Sequence, residues 1–291
     1  MKNWMKKLNG GLPVTEINLP GTHDSCSFNA GFGFIANCQK KTVYEQLLSG
    51  IRFLDVRVKK KGESLLTVHA FITCRTLDGS RALTLDDVLS DCKKFLAESP
   101  SETILFSLKR DDGPSSEETF DFFSARYLND EIWFKENRFP SLSEVRGKIV
   151  LINRCSADIE NENYTDFNSG IDFSGWPYQD KFKGKIFEEA PLPKRNSKPS
   201  DYYLTQDMYR LTPKEKTEKA ILPFLKNPPQ ISGAVISFFS STTGLITPKI
   251  TASYVNKQLS KTTLEKGKKY GWIILDYPTE SFVKKIINSN F

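Results

Sequence analysis

The sequence predicts an α/β protein folded as one TIM-type (β/α) barrel, irregular and with parallel strands, spanning residues 1–291. Three observations predict it. About eight short apolar runs read as strands, and most are separated by stretches with helical spacing, the alternation that produces a parallel sheet covered by helices. No Gly-x-Gly-x-x-Gly follows the first strand, and no Gly-rich phosphate loop or internal repeat is visible, which disfavours a dinucleotide-binding fold. With 38% apolar and 26% charged residues the chain has the composition of a globular protein, and α/β barrels of this length are routinely single domains.

Residues 4–8 read as a short capping helix and 15–19 as the first strand. Pro20-Gly21 then turns the chain and delivers His23, Asp24 and Ser25 in succession. A rigid scaffold presents chemistry on a loop in this way; the alternative is a helix N-terminus capped by Asp24 or Ser25. Segment 28–36 sets Phe28, Phe32, Phe34 and Ile35 among small residues with no helical stripe. It either folds back on the core or forms an exposed apolar rim, with Phe32, Phe34 and Ile35 touching a membrane. Residues 42–49 read as a helix ended by Gly50, and 51–58 as an alternating strand rich in β-formers. Asp55 and Arg57 share one face of that strand, because strand side chains repeat every two residues. Strand 65–69 ends at His69. Helix 83–98 has Thr84 as N-cap and Leu85, Val88, Leu89, Cys92 and Leu96 at helical spacing. Strand 103–108 ends at Lys109, 119–127 is helical, and strand 148–153 ends at Arg154. Residues 156–201, polar and rich in proline and glycine, read as an extended loop region because regular patterns resume after it. Strand 202–205 leads into Asp207 and Tyr209. Helix 212–225, with Pro213 in its first turn, precedes strand 233–239 and helix 248–259. Strand 271–275 ends at Asp276, and helix 281–287 closes the chain.

Bulk properties narrow the function. The net charge of +6 favours anionic partners. Basic residues interleaved with stacking aromatics in a recognisable motif are absent, so nucleic acid is discounted. No apolar run approaches the roughly 20 residues of a membrane span. Residues 1–8 are basic and amphipathic, and no long apolar stretch follows, so no signal peptide is expected; the protein stays inside a cell or has lost a leader. The five cysteines, Cys26, Cys38, Cys74, Cys92 and Cys155, are scattered, odd in number and without a C-x-x-C pair. Reduced thiols follow and a zinc motif is not expected, while a Cys26–Cys38 bridge stays open.

The polar residues at strand ends carry the functional reading. They are His23 and Asp24, Asp55 and Arg57, His69, Lys109, Arg154, Asp207 and Tyr209, and Asp276. In a parallel barrel the C-terminal strand ends converge on one mouth, where active sites are built. The only two histidines, flanked by carboxylates and cations, suit a phosphodiester. One imidazole deprotonates an attacking hydroxyl and the other protonates the leaving oxygen. Arg57 offers a planar fork for phosphoryl oxygens. Asp24, Asp55 and Asp276 are available to fix the imidazole tautomers. A metal mechanism would want clustered acidic ligands where Arg57 stands, so no metal or other cofactor is expected.

The chain resembles a bacterial phosphatidylinositol-specific phospholipase C. The resemblance rests on Thr15-Glu16-Ile17-Asn18-Leu19-Pro20-Gly21-Thr22-His23-Asp24-Ser25, Arg52-Phe53-Leu54-Asp55-Val56-Arg57, Val68-His69, Glu102-Thr103-Ile104-Leu105-Phe106-Ser107-Leu108-Lys109, Gly147-Lys148-Ile149-Val150-Leu151-Ile152-Asn153-Arg154, Gln206-Asp207-Met208-Tyr209 and Gly271-Trp272-Ile273-Ile274-Leu275-Asp276-Tyr277, in that order. It implies that His23 is the general base on the inositol 2-hydroxyl, supported by Asp276. It implies that His69 is the general acid for the diacylglycerol oxygen, with Asp24 as its partner. Arg57 would bind the phosphate, where calcium-dependent relatives carry a metal ligand, and Asp55 would orient its neighbours. Lys109, Arg154 and Asp207 would hydrogen-bond inositol hydroxyls, and Tyr209 would stack under the ring. The implied reaction yields diacylglycerol and inositol 1,2-cyclic phosphate, with slow hydrolysis of the cyclic product as an optional second step. The implied partner is phosphatidylinositol in an anionic membrane surface, and the implied state is a secreted monomer. Three positions depart from the family pattern: Ala70 stands where glycine commonly follows the histidine, Cys26 where glycine often follows His-Asp-Ser, and the 28–36 loop lacks the tryptophan of many secreted members. Ala70 is the best support for a competing reading, a weakly catalytic inositol-phospholipid-binding membrane module. Another phosphodiesterase of the same superfamily, such as a metal-dependent glycerophosphodiesterase, would need acidic ligands in place of Arg57.

Overall fold

Strands in this chain are apolar enough to be buried on both faces, and they assemble accordingly. The computed structural model describes residues 1–155, 169–173, 175–192, 202–244 and 246–291. Its strands are β1 Leu19–Thr22, β2 Phe53–Lys61, β3 Ser64–His69, β4 Ile72–Thr73, β5 Ile104–Arg110, β6 Trp133–Phe134, β7 Ile149–Asn153, β8 Ile171–Asp172, β9 Glu188–Pro191, β10 Tyr202–Gln206, β11 Ala234–Phe238 and β12 Trp272–Leu275. Eight of them pair in the order β6-β7-β5-β2-β1-β12-β11-β10, and every pairing along that path is parallel. β7, β11 and β12 are buried at every residue, as strands with helices outside and a packed interior must be. Alternation sorts β12: Trp272 and Ile274 join the main core with Phe53, while Ile273 and Leu275 pack with Phe282 and Ile286 of helix Glu280–Asn288.

The barrel is irregular, as expected. β8 adds to the far side of β7, and β9 lies antiparallel on β10. Among the described residues no ladder joins β8 to β10. Phe173, just past β8, instead stacks on Tyr203 of β10 with ring centroids 4.1 Å apart.

Several elements differ from the sequence expectation. Residues 15–19 are not a strand: Val14–Glu16 is a 3-10 turn, and β1 begins at Leu19 and includes Pro20-Gly21. Proline is tolerated because the Leu19 and His23 amides donate toward the β12 side, to Gly271 and Leu275. On the other side the Gly50 carbonyl already accepts from the Trp4 indole. Gly21 is required by packing, since a Cβ there would lie 2.6 Å from Ile274 Cδ1. β3 is not a parallel barrel strand. β2 runs on to Lys61, Gly62 takes φ +56° in a two-residue turn, and β3 returns antiparallel on β2. His69 therefore reaches the mouth on a hairpin. Segment 28–36 contains one helical turn, Gly33–Ala36. Phe28 packs on the core, whereas Phe32 and Ile35 are 58% and 45% exposed; the side chain of Phe34 lies outside the described residues. Within 156–201, β8 and β9 were not expected; residues 156–168, 174 and 193–201 lie outside the described residues. The 212–225 helix starts at Pro213 with a Thr212–Glu215 capping box, then widens into a π-helical stretch, Lys216–Ile221, just before Pro223. All five cysteines are buried free thiols, so Cys26 and Cys38 are not bridged. Among the described residues no helix is long and apolar enough to cross a membrane.

Candidate active site

Register alone brings the strand-end residues together. Thr22 pairs with Leu275, so His23 and Asp276 leave adjacent strands side by side. Arg57 pairs with Lys109, and Leu108 with Asn153, which sets Lys109 and Arg154 next to Arg57. His23 Nδ1 donates to Asp276 Oδ1 at 2.8 Å. That bond leaves Nε2 as the acceptor. The backbone that carries the ring is held by Gln39, whose amide donates to the His23 and Leu275 carbonyls at 2.6 and 3.0 Å.

Arg57 is held from behind. Its Nε and Nη2 donate to Asp55 Oδ2 at 3.1 and 2.9 Å, and Nη1 donates to Asp111 Oδ2 at 3.2 Å. Asp55 Oδ2 also accepts from the Asp24 amide at 3.1 Å, so one carboxylate orients both neighbours. Lys109 donates to Asp111 Oδ1. The Arg154 guanidinium carbon lies over the Trp176 ring, 3.7 Å from its centroid. The Trp176 indole donates to Asp207 Oδ2 at 3.3 Å, and the Tyr209 hydroxyl to Tyr178 Oη at 3.0 Å. His69 Nδ1 meets the Ala36 carbonyl at 2.5 Å and stands 3.7 Å from Asp24 Oδ2, too far for a hydrogen bond. The two imidazoles stand edge to face at 83°, with centroids 6.4 Å apart. His23, Arg57, His69, Lys109, Arg154, Asp207, Tyr209 and Asp276 all line one cavity of about 480 Å³, a volume suited to a small polar head group.

Charge is tuned by burial against pairing. Burial would raise Asp55, but Arg57 and Arg154 outweigh it and hold the carboxyl at about 2. Asp111 is likewise forced below the usual range by Arg57 and Lys109 despite its burial. Burial would discharge Arg57, but Asp55, Asp111 and Asp24 keep it firmly cationic. Burial dominates at Asp24 and pushes it up to about 7, with Arg57 and His23 opposing. His69 is pulled below its ordinary value by burial, opposed by the Ala36 hydrogen bond and aided by Arg57.

Backbone strain marks the same place. Among the described residues the non-glycine positions with positive φ are Asp24 at 45°, Ala70 at 51° and Tyr277 at 43°. Each directly follows His23, His69 or Asp276. Left-handed backbone at a residue with a Cβ is unfavourable, and its clustering here follows the pattern of functional sites.

The family model described as "Phosphatidylinositol-specific phospholipase C, X domain" matches residues 18–155. A Staphylococcus aureus (strain Newman) protein named 1-phosphatidylinositol phosphodiesterase is 31% identical over 310 aligned positions, covering 99% of this chain and 94% of that one. The chain belongs to the phosphatidylinositol-specific phospholipase C family. A Listeria monocytogenes 1-phosphatidylinositol phosphodiesterase is 26% identical, with 99% and 85% coverage. A solved variant of the S. aureus phospholipase C superposes with a TM-score of 0.79 at 28% identity, covering 100% of this chain and 96% of that one. The L. monocytogenes enzyme, at 22% identity and a TM-score of 0.66, shares the fold.

In this phospholipase C the His23–Asp276 pair that the resemblance implied and the Asp55–Arg57 pair that strand spacing implied both come together. The expected Asp24–His69 pair comes together without a hydrogen bond, because the Ala36 carbonyl takes His69 Nδ1. Sequence reasoning missed Asp111 and Trp176. Asp111 had a signal: it lies two residues after Lys109, on the same face of the extended chain. Trp176 had none, since it sits in the irregular segment. Tyr178, Gln179, Ser240 and Ser241 also line the cavity without having been singled out.

Proposed function

We propose that this protein cleaves phosphatidylinositol to diacylglycerol and inositol 1,2-cyclic phosphate without a metal. The coarser activity, phosphatidylinositol phosphodiesterase, is supported by the family and by the names of its relatives. The observation that carries the finer reading is the pair of imidazoles facing across the cavity, one oriented by a carboxylate and the other by a carbonyl. His23 Nε2 takes the proton of the inositol 2-hydroxyl as its oxygen bonds to phosphorus. The bond from phosphorus to the glycerol oxygen breaks, and His69 supplies the proton that oxygen needs. Arg57 meets the charge on the phosphoryl oxygens in a site already rigid before substrate arrives. Intramolecular attack requires no bound water, only orientation, and Lys109, Arg154, Asp207 and Tyr209 would supply it around the ring.

The membrane contact follows from the rim. Phe32 and Ile35 are exposed, and so is Phe71, 72% exposed and two residues beyond His69. Exposed aromatics beside a cavity for a lipid head group fit insertion between acyl chains. Ala70 keeps the left-handed turn a glycine would adopt, and its amide donates to Asp111 Oδ2 at 3.3 Å. This favours turnover over the binding-only reading.

Phosphorus NMR on phosphatidylinositol micelles in excess EDTA tests the proposal. The expected first product is a five-membered cyclic phosphate, from wild type and not from folded His23→Ala. A calcium requirement, or inositol monophosphate as the first product, would overturn it.

A further inference from the structure

Behind the ring of His69 lies a cluster of three possible metal donors. Cys38 Sγ is 3.8 Å from His69 Nδ1, and Asp24 Oδ2 is 3.7 Å from the same nitrogen. The thiol, the imidazole nitrogen and a carboxylate oxygen lie within 4.8 Å of one another. Asp24 has no exposed surface, yet neither of its carboxylate oxygens accepts a hydrogen bond. A buried carboxylate left open on both oxygens and aimed at a nitrogen and a sulfur calls for a cation.

We propose that Cys38, His69 Nδ1 and Asp24 form an inhibitory site for a thiophilic divalent cation, with zinc as the ion the donors fit. Zinc bonds of about 2.0–2.3 Å put tetrahedral donors about 3.3–3.8 Å apart, close to the spacings present. Thiolate, imidazole and carboxylate together select zinc over calcium or magnesium. Cys38 also approaches His23 and Asp276, but those two are already bonded to each other, whereas on the His69 side the carboxylate of Asp24 accepts no hydrogen bond. Arg57 does not block the ion, because its guanidinium is drawn onto Asp55 and Asp111 and stands 4.0 Å from Asp24 Oδ2. The three donors come from positions 24, 38 and 69, so no sequence spacing announces them.

Binding releases the Cys38 thiol proton and the proton held on Asp24, and as Nδ1 leaves the Ala36 carbonyl for zinc its own proton shifts to Nε2. With Nδ1 on the metal, the ring cannot gain the second proton that would make Nε2–H an acid. Inhibition therefore rests on the role proposed for His69, whereas binding does not.

The test is zinc titration of the EDTA-treated, desalted protein against a chromophoric chelator, with cobalt substitution read by absorption. The expected result is one bound equivalent, a thiolate-to-cobalt charge-transfer band in the near ultraviolet, and turnover lost as the site fills. Cys38→Ser should keep the metal-free turnover, lose the band and need at least about tenfold more zinc for inhibition. Cys38→Ala serves equally if the serine hydroxyl disturbs the buried position. No bound equivalent in wild type, or a band and inhibition unchanged in both variants, would overturn the site. A band with turnover retained would uphold the site and overturn the role given to His69.

Discussion

One arginine stands just before β2 and another in its middle, and the two are treated in opposite ways. At its base Arg52 is fully buried, and its partners are complete. Nε and Nη2 donate to Glu102 Oε2 at 3.1 and 2.8 Å, Nη1 to the Leu47 and Ile51 carbonyls, and Nη2 also to the Lys2 carbonyl. Glu102 accepts in addition from the Met5 amide and the Ser101 hydroxyl, and the guanidinium lies 4.5 Å from the Phe95 ring centre. At the mouth Arg57 and Arg154 sit among Asp24, Asp55 and Asp111, and several buried atoms have no hydrogen bond: both oxygens of Asp24, Asp55 Oδ1, and Arg154 Nε and Nη1, although Arg154 Nη1 stands 3.5 Å from Asp55 Oδ1. A fold that can saturate a buried ion pair at the base of the barrel has not done so at the mouth. The base joins the N-terminal segment to the barrel; the mouth keeps donors and acceptors open for a ligand that brings its own.

The sharpest way to break this comparison is to remove one charge from the base and one from the mouth. Glu102→Gln leaves Arg52 buried without a counter-charge and should cost about 3–5 kcal/mol in urea unfolding. Turnover per folded molecule should stay near wild type. Asp24→Asn should behave in the opposite way. The Asp24 carboxyl is held at about 7 against an ordinary 3.8, so the native state keeps a proton that the unfolded chain releases. The stability this confers is full below pH 3.8 and is lost as pH rises through about 7. The asparagine variant should therefore match wild type near pH 4 and exceed it by more than about 1 kcal/mol at pH 8, with slower turnover. Equal destabilisation by the two substitutions would erase the distinction.

A smaller effect separates the two histidines. Burial lowers His69, so the free enzyme holds little of the protonated acid at neutral pH. On a soluble inositol phosphodiester, kcat/KM should fall as pH rises through a value below 6.5. The matching limb of kcat should lie higher, because the bound phosphodiester anion favours the imidazolium. A flat kcat/KM from pH 5 to 8 would contradict this. Smallest is the rim: Phe71→Ser or Phe32→Ser should each weaken vesicle binding about tenfold while sparing the soluble substrate. Unchanged vesicle binding would make those aromatics surface decoration.

The residues that alternate or end a strand were legible in the sequence, because extended chain geometry fixes them. Asp55 with Arg57 needed only the period of two, and the meeting of the strand-end residues only the convergence of parallel strands, whereas the pairing of His23 with Asp276 in particular came from the family resemblance. What was illegible depended on long-range packing. Pro20-Gly21 reads as a turn, yet a carbonyl already satisfied by Trp4 and the crowding of Ile274 make it strand. His69 reads as the end of a parallel strand, yet the Gly62 turn brings it in on a hairpin. Trp176 beneath Arg154, and the Ala36 carbonyl on His69, come from irregular segments whose paths no local pattern encodes.

The measurement that tests the two-histidine account most directly varies the leaving group. A nitrophenyl inositol phosphate releases a stable anion and needs no proton from the enzyme, whereas diacylglycerol does. His69→Ala should lose about 10²–10⁴-fold on phosphatidylinositol and little on the nitrophenyl ester, and His23→Ala should lose on both. Equal losses for the two variants on the two substrates would contradict the division of labour between base and acid.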